Sequence, residues 1–232
     1  MDIKLHYIEK GSGEPFILLH GNGESSSYFV HQITYFSKKY RVIAIDTRGH
    51  GWSPRGLKPF SIAQFAEDLK DFMNQKSIQK AHLLGFSDGG NIALTFALKY
   101  PERVKSLILN GANLNPKGVK SSVQWPIIFE YKLASCLAKR RHSAREKMEL
   151  LGLMVNEPNV DPGELEKLRV KTLVIAGTDD MIKEEHTRLI YQSLPMARLA
   201  FVKGDHFIAN KCPKIFNKTV EDFLKAIEAE VF

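Results

Sequence analysis

Residues 81–90 read AHLLGFSDGG, and the fold turns on how they are taken. Ala81–Phe86 is an unbroken apolar run of strand type, and Ser87 follows it at once. Gly85, Gly89 and Gly90 crowd the serine, and from Asn91 onward Ile92, Leu94, Phe96 and Leu98, mixed with Ala93 and Ala97, have helical spacing. The pattern predicts strand, abrupt turn and helix, with Ser87 at the tip of a G-x-S-x-G elbow. So tight a turn strains the serine backbone and brings the helix hard against the strand, where side chains at the flanking glycines would collide. The hydroxyl then stands at a helix N-terminus, where free N–H groups and the helix dipole favour negative charge. A surface turn could carry the same pentapeptide by accident. The strand before it and the helix after it argue for the elbow.

Outward from the elbow, strand and helix patterns alternate. Residues 3–9 alternate apolar and polar, as an edge strand does. FILLH at 16–20 and RVIAI at 41–45 are runs suited to strands buried on both faces. Helical spacing is found at 25–39 and at 61–76, the latter opened by a Ser61–Gln64 capping box. After the elbow helix and Pro101 come the strand Val104–Asn110, a strand at 172–176, a helix at 183–194, the strand Ala197–Val202 and an amphipathic helix at 213–230. This alternation predicts an α/β fold: a mostly parallel sheet with helices on both faces. The rhythm breaks between 112 and 162, where no strand run occurs and helix-like stretches at 127–141 and 143–155 carry bulky residues. That segment reads as a small helical lid inserted into a core of residues 1–111 and 163–232. A strong helix start, Asp161-Pro162-Gly163-Glu164, marks the return.

Composition narrows the function classes. The chain has 232 residues, 44% hydrophobic and 25% charged, as expected of one soluble domain. Net charge is +7, but basic residues are mostly mixed with acids, and Lys139-Arg140-Arg141 is the one tight cluster. No zinc-finger spacing or aromatic single-strand platform accompanies it, so no nucleic-acid partner is expected. Cys136 and Cys212 form no CxxC pattern and read as free thiols. No signal peptide or membrane-spanning run is visible, so the expectation is a cytoplasmic protein without a membrane partner.

Polar residues gather where ligands bind in open parallel sheets, at the carboxyl ends of strands. Ser87 follows one strand, His20 and Asn22 another, Asp46 a third, Asp179 and Asp180 a fourth, and His206 the last. A serine hydroxyl needs a neighbour to take its proton, and histidine is the residue type best suited at neutral pH. Of eight histidines, His206 alone lies in a strand-exit loop after the serine. Asp179 or Asp180 would orient its ring. An oxyanion would be held by the backbone N–H groups of Asp88 and Asn22, the latter between Gly21 and Gly23. The Asp88 carboxylate is expected to point away from that hole, or to meet a polar group of the substrate.

With these residues in place the chain resembles the α/β-hydrolase superfamily over nearly all its length. His20-Gly21-Asn22-Gly23 is similar to that family's HGxG loop, and the segment 46–53 (DTRGHGWS) to its D-x-R-G-x-G-x-S stretch. Gly177-Thr178-Asp179-Asp180 resembles the G-x-x-D acid loop, which selects Asp180, and Gly204-Asp205-His206 resembles the G-x-H loop. The Ser, Asp, His order is also the family's. Asn110 is not acidic, so the alternative acid position is unused. The resemblance implies eight strands. The chain begins too late for the first, so the sheet is expected to have about seven to eight strands. Asp46 and Arg48 are expected to brace loops rather than react.

The function this implies is a serine hydrolase, carboxylesterase-like, cleaving a small or medium ester through an acyl-enzyme on Ser87. A serine nucleophile argues against the dehalogenase and epoxide hydrolase branches. C–C bond hydrolysis, thioesterase, peptidase or perhydrolase chemistry on the same triad, or a ligand receptor with little turnover, are the alternatives. Trp125, Phe129, Met148 and Met154 are expected to line an apolar pocket. No metal or organic cofactor is expected, and the chain is expected to be a monomer or homodimer.

Overall fold

Hydrogen bonding between strands gives the sheet order β1-β3-β2-β4-β5-β6-β7 in a computed structural model that describes residues 2–229. Met1 and the expected end of the terminal helix, residue 230, lie outside those residues. The strands are β1 (Tyr7–Lys10), β2 (Glu14–Leu19), β3 (Tyr40–Ile45), β4 (Ala81–Phe86), β5 (Val104–Asn110), β6 (Thr172–Gly177) and β7 (Ala197–Val202). Only β1 runs antiparallel, pairing Tyr7 with Ile45; the other pairings are parallel. The helices in chain order are α1 (Val30–Phe36), α2 (Ile62–Gln75), α3 (Asp88–Lys99), α4 (Ser121–Leu137), α5 (His142–Asn156), α6 (Pro162–Leu165), α7 (Glu184–Ser193), α8 (Ile208–Lys211) and α9 (Pro213–Glu228).

The period of two along each strand sends alternate side chains into two cores. Ile17, Leu19, Ile43, Leu83 and Leu107 enter one core, with Phe65 and Phe72 of α2 and Phe96 of α3. Phe16, Leu18, Val42, Leu84 and Ile108 enter the other, with Phe36 of α1 and Phe216 and Phe223 of α9. Strands buried on both faces therefore lack polar alternation, as their sequences do. Ser61 caps α2 by accepting from the Gln64 N–H at 3.2 Å, and Asp161 caps α6 through the Gly163 N–H at 2.8 Å.

Between β5 and α6, helices α4 and α5 pack on each other as a hairpin. Its ends are held together by the Val160 N–H, which donates to the Leu114 carbonyl at 2.9 Å, and its start is tied to the loop after β6 by a bridge from Val119 to Ile182. Strand order reverses between β2 and β4, since β3 lies on one side of β2 and β4 on the other. That is the switch point at which loops from neighbouring strands part and leave a crevice. Ser87, at the end of β4, and the Gly21–Gly23 turn after β2 both stand there.

Candidate active site

The elbow is built as its glycines require. Ser87 has φ +53° and ψ −121°, a conformation that strains a non-glycine residue by about 1–3 kcal/mol. The Ser87 N–H donates to the Asn110 carbonyl at 2.8 Å, and its own carbonyl accepts from Gly90 and Asn91 as α3 begins. A Cβ on Gly85 would lie 2.2 Å from the Gly89 carbonyl oxygen, and one on Gly89 only 2.0 Å from that of Leu19. Strand and helix meet this closely only without side chains. The Asp88 N–H belongs to the free first turn of α3.

His206 and Asp180 meet from two strand-exit loops. The imidazole Nδ1–H donates to Asp180 Oδ1 at 2.6 Å, with both side chains almost fully buried. The Ile182 N–H holds the same carboxylate oxygen at 2.9 Å, and the Gly177 N–H reaches the other at 3.3 Å. The imidazole ring lies 4.8 Å from the ring of Phe86, the residue before the serine. It also lies against Gly111, where a Cβ would come within 2.7 Å of the ring. Gly111 follows Asn110, whose carbonyl holds the serine N–H, so serine and imidazole share neighbours on both sides. Nε2 of His206 is buried and makes no hydrogen bond, to Ser87 or any other group, among the described residues. The contact of a general base with its nucleophile often tightens only when substrate is bound.

The loop after β2 is braced from below. The Thr47 N–H donates to His20 Nε2 at 3.0 Å, and His20 Nδ1–H donates to the Gly21 carbonyl at 2.7 Å. Burial lowers His20 to about 4, so it is neutral and can play both parts. Asp46 takes the Ser26 and Trp52 N–H groups at 2.6 and 2.9 Å and His6 at 2.8 Å. Arg48, wholly buried, pairs with both oxygens of Asp68 at 2.7 Å and with Asp2. Both residues hold loops, as their place in the motif suggests.

Three further features surround the site. The Asn22 side chain donates to the Leu150 carbonyl of α5 at 2.7 Å, so the turn after β2 is tied to the hairpin. Asp88 is 8% exposed, and its carboxyl turns toward Asn91, which donates to Oδ1 at 3.2 Å, while Oδ2 has no partner among the described residues. Burial raises this carboxyl to about 6, opposed by the nearby Asn22 and Asn91 amides. Glu24 accepts from the Gly21 N–H at 3.3 Å, and burial raises it to about 7 within the field of His206. Asn22 and Asp88 stand in motifs, but the tie of Asn22 to Leu150 joins residues remote in sequence.

The expected pocket residues divide. Met148 and Met154 are half-buried in the hairpin, but Trp125 and Phe129 are 69% and 71% exposed. Trp125 and Phe129 stand on the outer face of α4, because the helix turns its other side to α5. The Asp179 carboxylate accepts from the neighbouring Thr178 hydroxyl and stays at the surface. Among the described residues no group of His, Cys, Asp and Glu side chains is arranged to hold a metal ion, and no helix is long and apolar enough to cross a membrane.

Residues 14–132 match the family described as alpha/beta hydrolase fold. The serine hydrolase BPHL of Mus musculus is 28% identical over 96% of this chain and 84% of its own length. The 3-oxoadipate enol-lactonase 2 of Acinetobacter baylyi is 26% identical over 97% and 94%. Among solved structures, the enol-lactonase from Burkholderia xenovorans LB400 superposes with a TM-score of 0.81 at 23% identity, covering 96% of this chain and 97% of that one. These likenesses support a hydrolase.

Proposed function

Since the chain belongs to the α/β-hydrolase fold family, we propose that it is a serine hydrolase cleaving a small or medium carboxylic ester. Open-chain and cyclic esters both fall within this class, the latter in keeping with the enol-lactonase relative. The observation that carries the reading is the imidazole of His206, bound at Nδ1 by Asp180 at 2.6 Å with no hydrogen bond at Nε2, and packed on Phe86, the residue before the strained serine.

Ser87 Oγ attacks the ester carbonyl while His206 Nε2 takes its proton. The carboxylate of Asp180 keeps the proton on Nδ1 and stabilises the imidazolium that forms. The carbonyl electrons collect on oxygen, where the N–H groups of Asn22 and Asp88 receive them; one such donor is worth about 3–4 kcal/mol in the transition state. His206 then protonates the leaving alcohol and the acyl group stays on Ser87. Water, deprotonated by the same nitrogen, attacks the acyl-enzyme, and the acid leaves as Ser87 regains its proton.

The test is Ser87→Ala with p-nitrophenyl butyrate as substrate. Turnover should fall at least about a thousandfold with melting temperature unchanged. The parent should be labelled by a fluorophosphonate at this serine, and activity should be lost in step with labelling. Undiminished hydrolysis in the alanine variant would remove Ser87 from the mechanism. Labelling without sustained turnover would mark a receptor instead. Hydrolysis of a vinylogous diketone with no ester turnover would mark a C–C hydrolase.

A further inference from the structure

The outer face of α4 carries Trp125, Phe129, Leu133 and Leu137, which are 69%, 71%, 55% and 38% exposed. They recur at every fourth position, so they form one stripe along the helix. Together they leave roughly 500 Å² of apolar surface in water, at the upper end of what a monomer shows as its largest patch. Pro126 and Cys136 are exposed beside them. Helices of soluble domains normally bury such a stripe; here the buried side chain of α4 is Ala134.

Charge says what this face meets. From Lys117 to Arg141 there are six basic residues, Lys117, Lys120, Lys132, Lys139, Arg140 and Arg141, and one acid, Glu130. All six are exposed, and Glu130 is already paired with Lys147 at 2.9 Å. A second copy of this chain would bring like charges together. The stripe also falls short of the roughly 800 Å² that each partner contributes to a stable interface. An aromatic and aliphatic face flanked by Lys and Arg is instead the signature of a helix lying in the boundary of an anionic bilayer.

We propose that α4 is a docking surface for an anionic lipid membrane, with Trp125 and Phe129 entering the headgroup boundary and Lys132, Lys139, Arg140 and Arg141 meeting lipid phosphates. Contact of this kind needs no spanning segment, so it is compatible with the lack of one among the described residues. It does replace the expectation of no membrane partner, which weighed only segments that cross. It is independent of the reaction assigned to Ser87.

The full chain carrying Trp52→Phe, which leaves Trp125 as its one tryptophan, is mixed with vesicles of phosphatidylcholine or of equimolar phosphatidylcholine and phosphatidylserine. Co-sedimentation with the mixed vesicles, about tenfold or more above the neutral ones and weakened by salt, is expected. The Trp125 emission should shift to the blue on binding. F129S/L133S should lose most of the binding, and R140E/R141E should lose the preference for phosphatidylserine. Circular dichroism checks that each variant folds, and either alone suffices if the other does not. Sedimentation equal for both vesicle types and unchanged in both variants would overturn the proposal. So would a dimer by light scattering that F129S/L133S returns to monomer, since a second copy would then cover the stripe.

Discussion

In the proposed reaction His206 serves in one tautomer only, and Asp180 sets it. A carboxylate at 2.6 Å demands the proton on Nδ1 and leaves Nε2 to accept. Asp180→Asn keeps the shape but removes the demand and the countercharge, so kcat on p-nitrophenyl butyrate should fall about 10³–10⁴-fold with KM little changed. Asp88 makes a different prediction. Burial raises its carboxyl from 3.8 to about 6. The folded protein thus holds a proton that the unfolded chain releases across that window. Stability declines as pH rises through it, by up to about 3 kcal/mol. Asp88→Asn removes the penalty: urea unfolding should show the variant more stable than the parent at pH 8, with the gap closing toward pH 4. A gap equal at both values would show that the buried charge is not the cause. The positions of Ser87, Asp180 and His206 were legible because each ends a strand in a motif of fixed spacing. Asn22 was expected as a backbone donor, but its tie to Leu150, a partner 128 positions away, was not legible.

Among elements, those with a clear local cause were read closely. The strands β4 and β5 begin and end where their apolar runs do, and α2 starts after its Ser61 cap. The stretch 25–39 divides instead into a 3₁₀ turn, Ser26–Phe29, whose first N–H is taken by Asp46, and α1. The edge strand was expected at 3–9 but pairs over Tyr7–Lys10, since alternation gives a face and the partner β3 gives the register. Helix α4 starts at Ser121 rather than 127; it has no side-chain cap, and Pro126 lies inside it where a proline normally reads as a break. The hairpin is fastened by Arg55, whose guanidinium makes two hydrogen bonds of 2.7 Å to Glu149. Arg55→Ala should speed hydrogen exchange along α5, and a double-mutant cycle with Glu149→Ala should give a coupling of roughly 1 kcal/mol. Zero coupling would mean that the Arg55–Glu149 pair does not help to hold the hairpin down.

At the scale of the whole molecule, Arg48 joins pieces far apart in the chain. Its buried guanidinium binds Asp68 in α2, Asp2 near the start, and the Arg55 carbonyl. Arg48→Met would strand the Asp68 carboxylate, 2% exposed, without its counterion, and should cost about 3–5 kcal/mol in urea unfolding. Adding Asp68→Leu should recover much of that loss, because an apolar pair leaves no buried charge behind. The α/β architecture and its parallel sheet were legible from alternation alone, while packing partners such as these come only with the folded chain. The pinning of Val160 to Leu114 has one more consequence. The segment between them leaves the sheet and returns beside its own start, like a branch grafted on a trunk. Such a graft is exchangeable. A replacement for residues 115–159 would have to keep its contacts with the loops rooted in the sheet, Leu150 with Asn22, Glu149 with Arg55 and Val119 with Ile182.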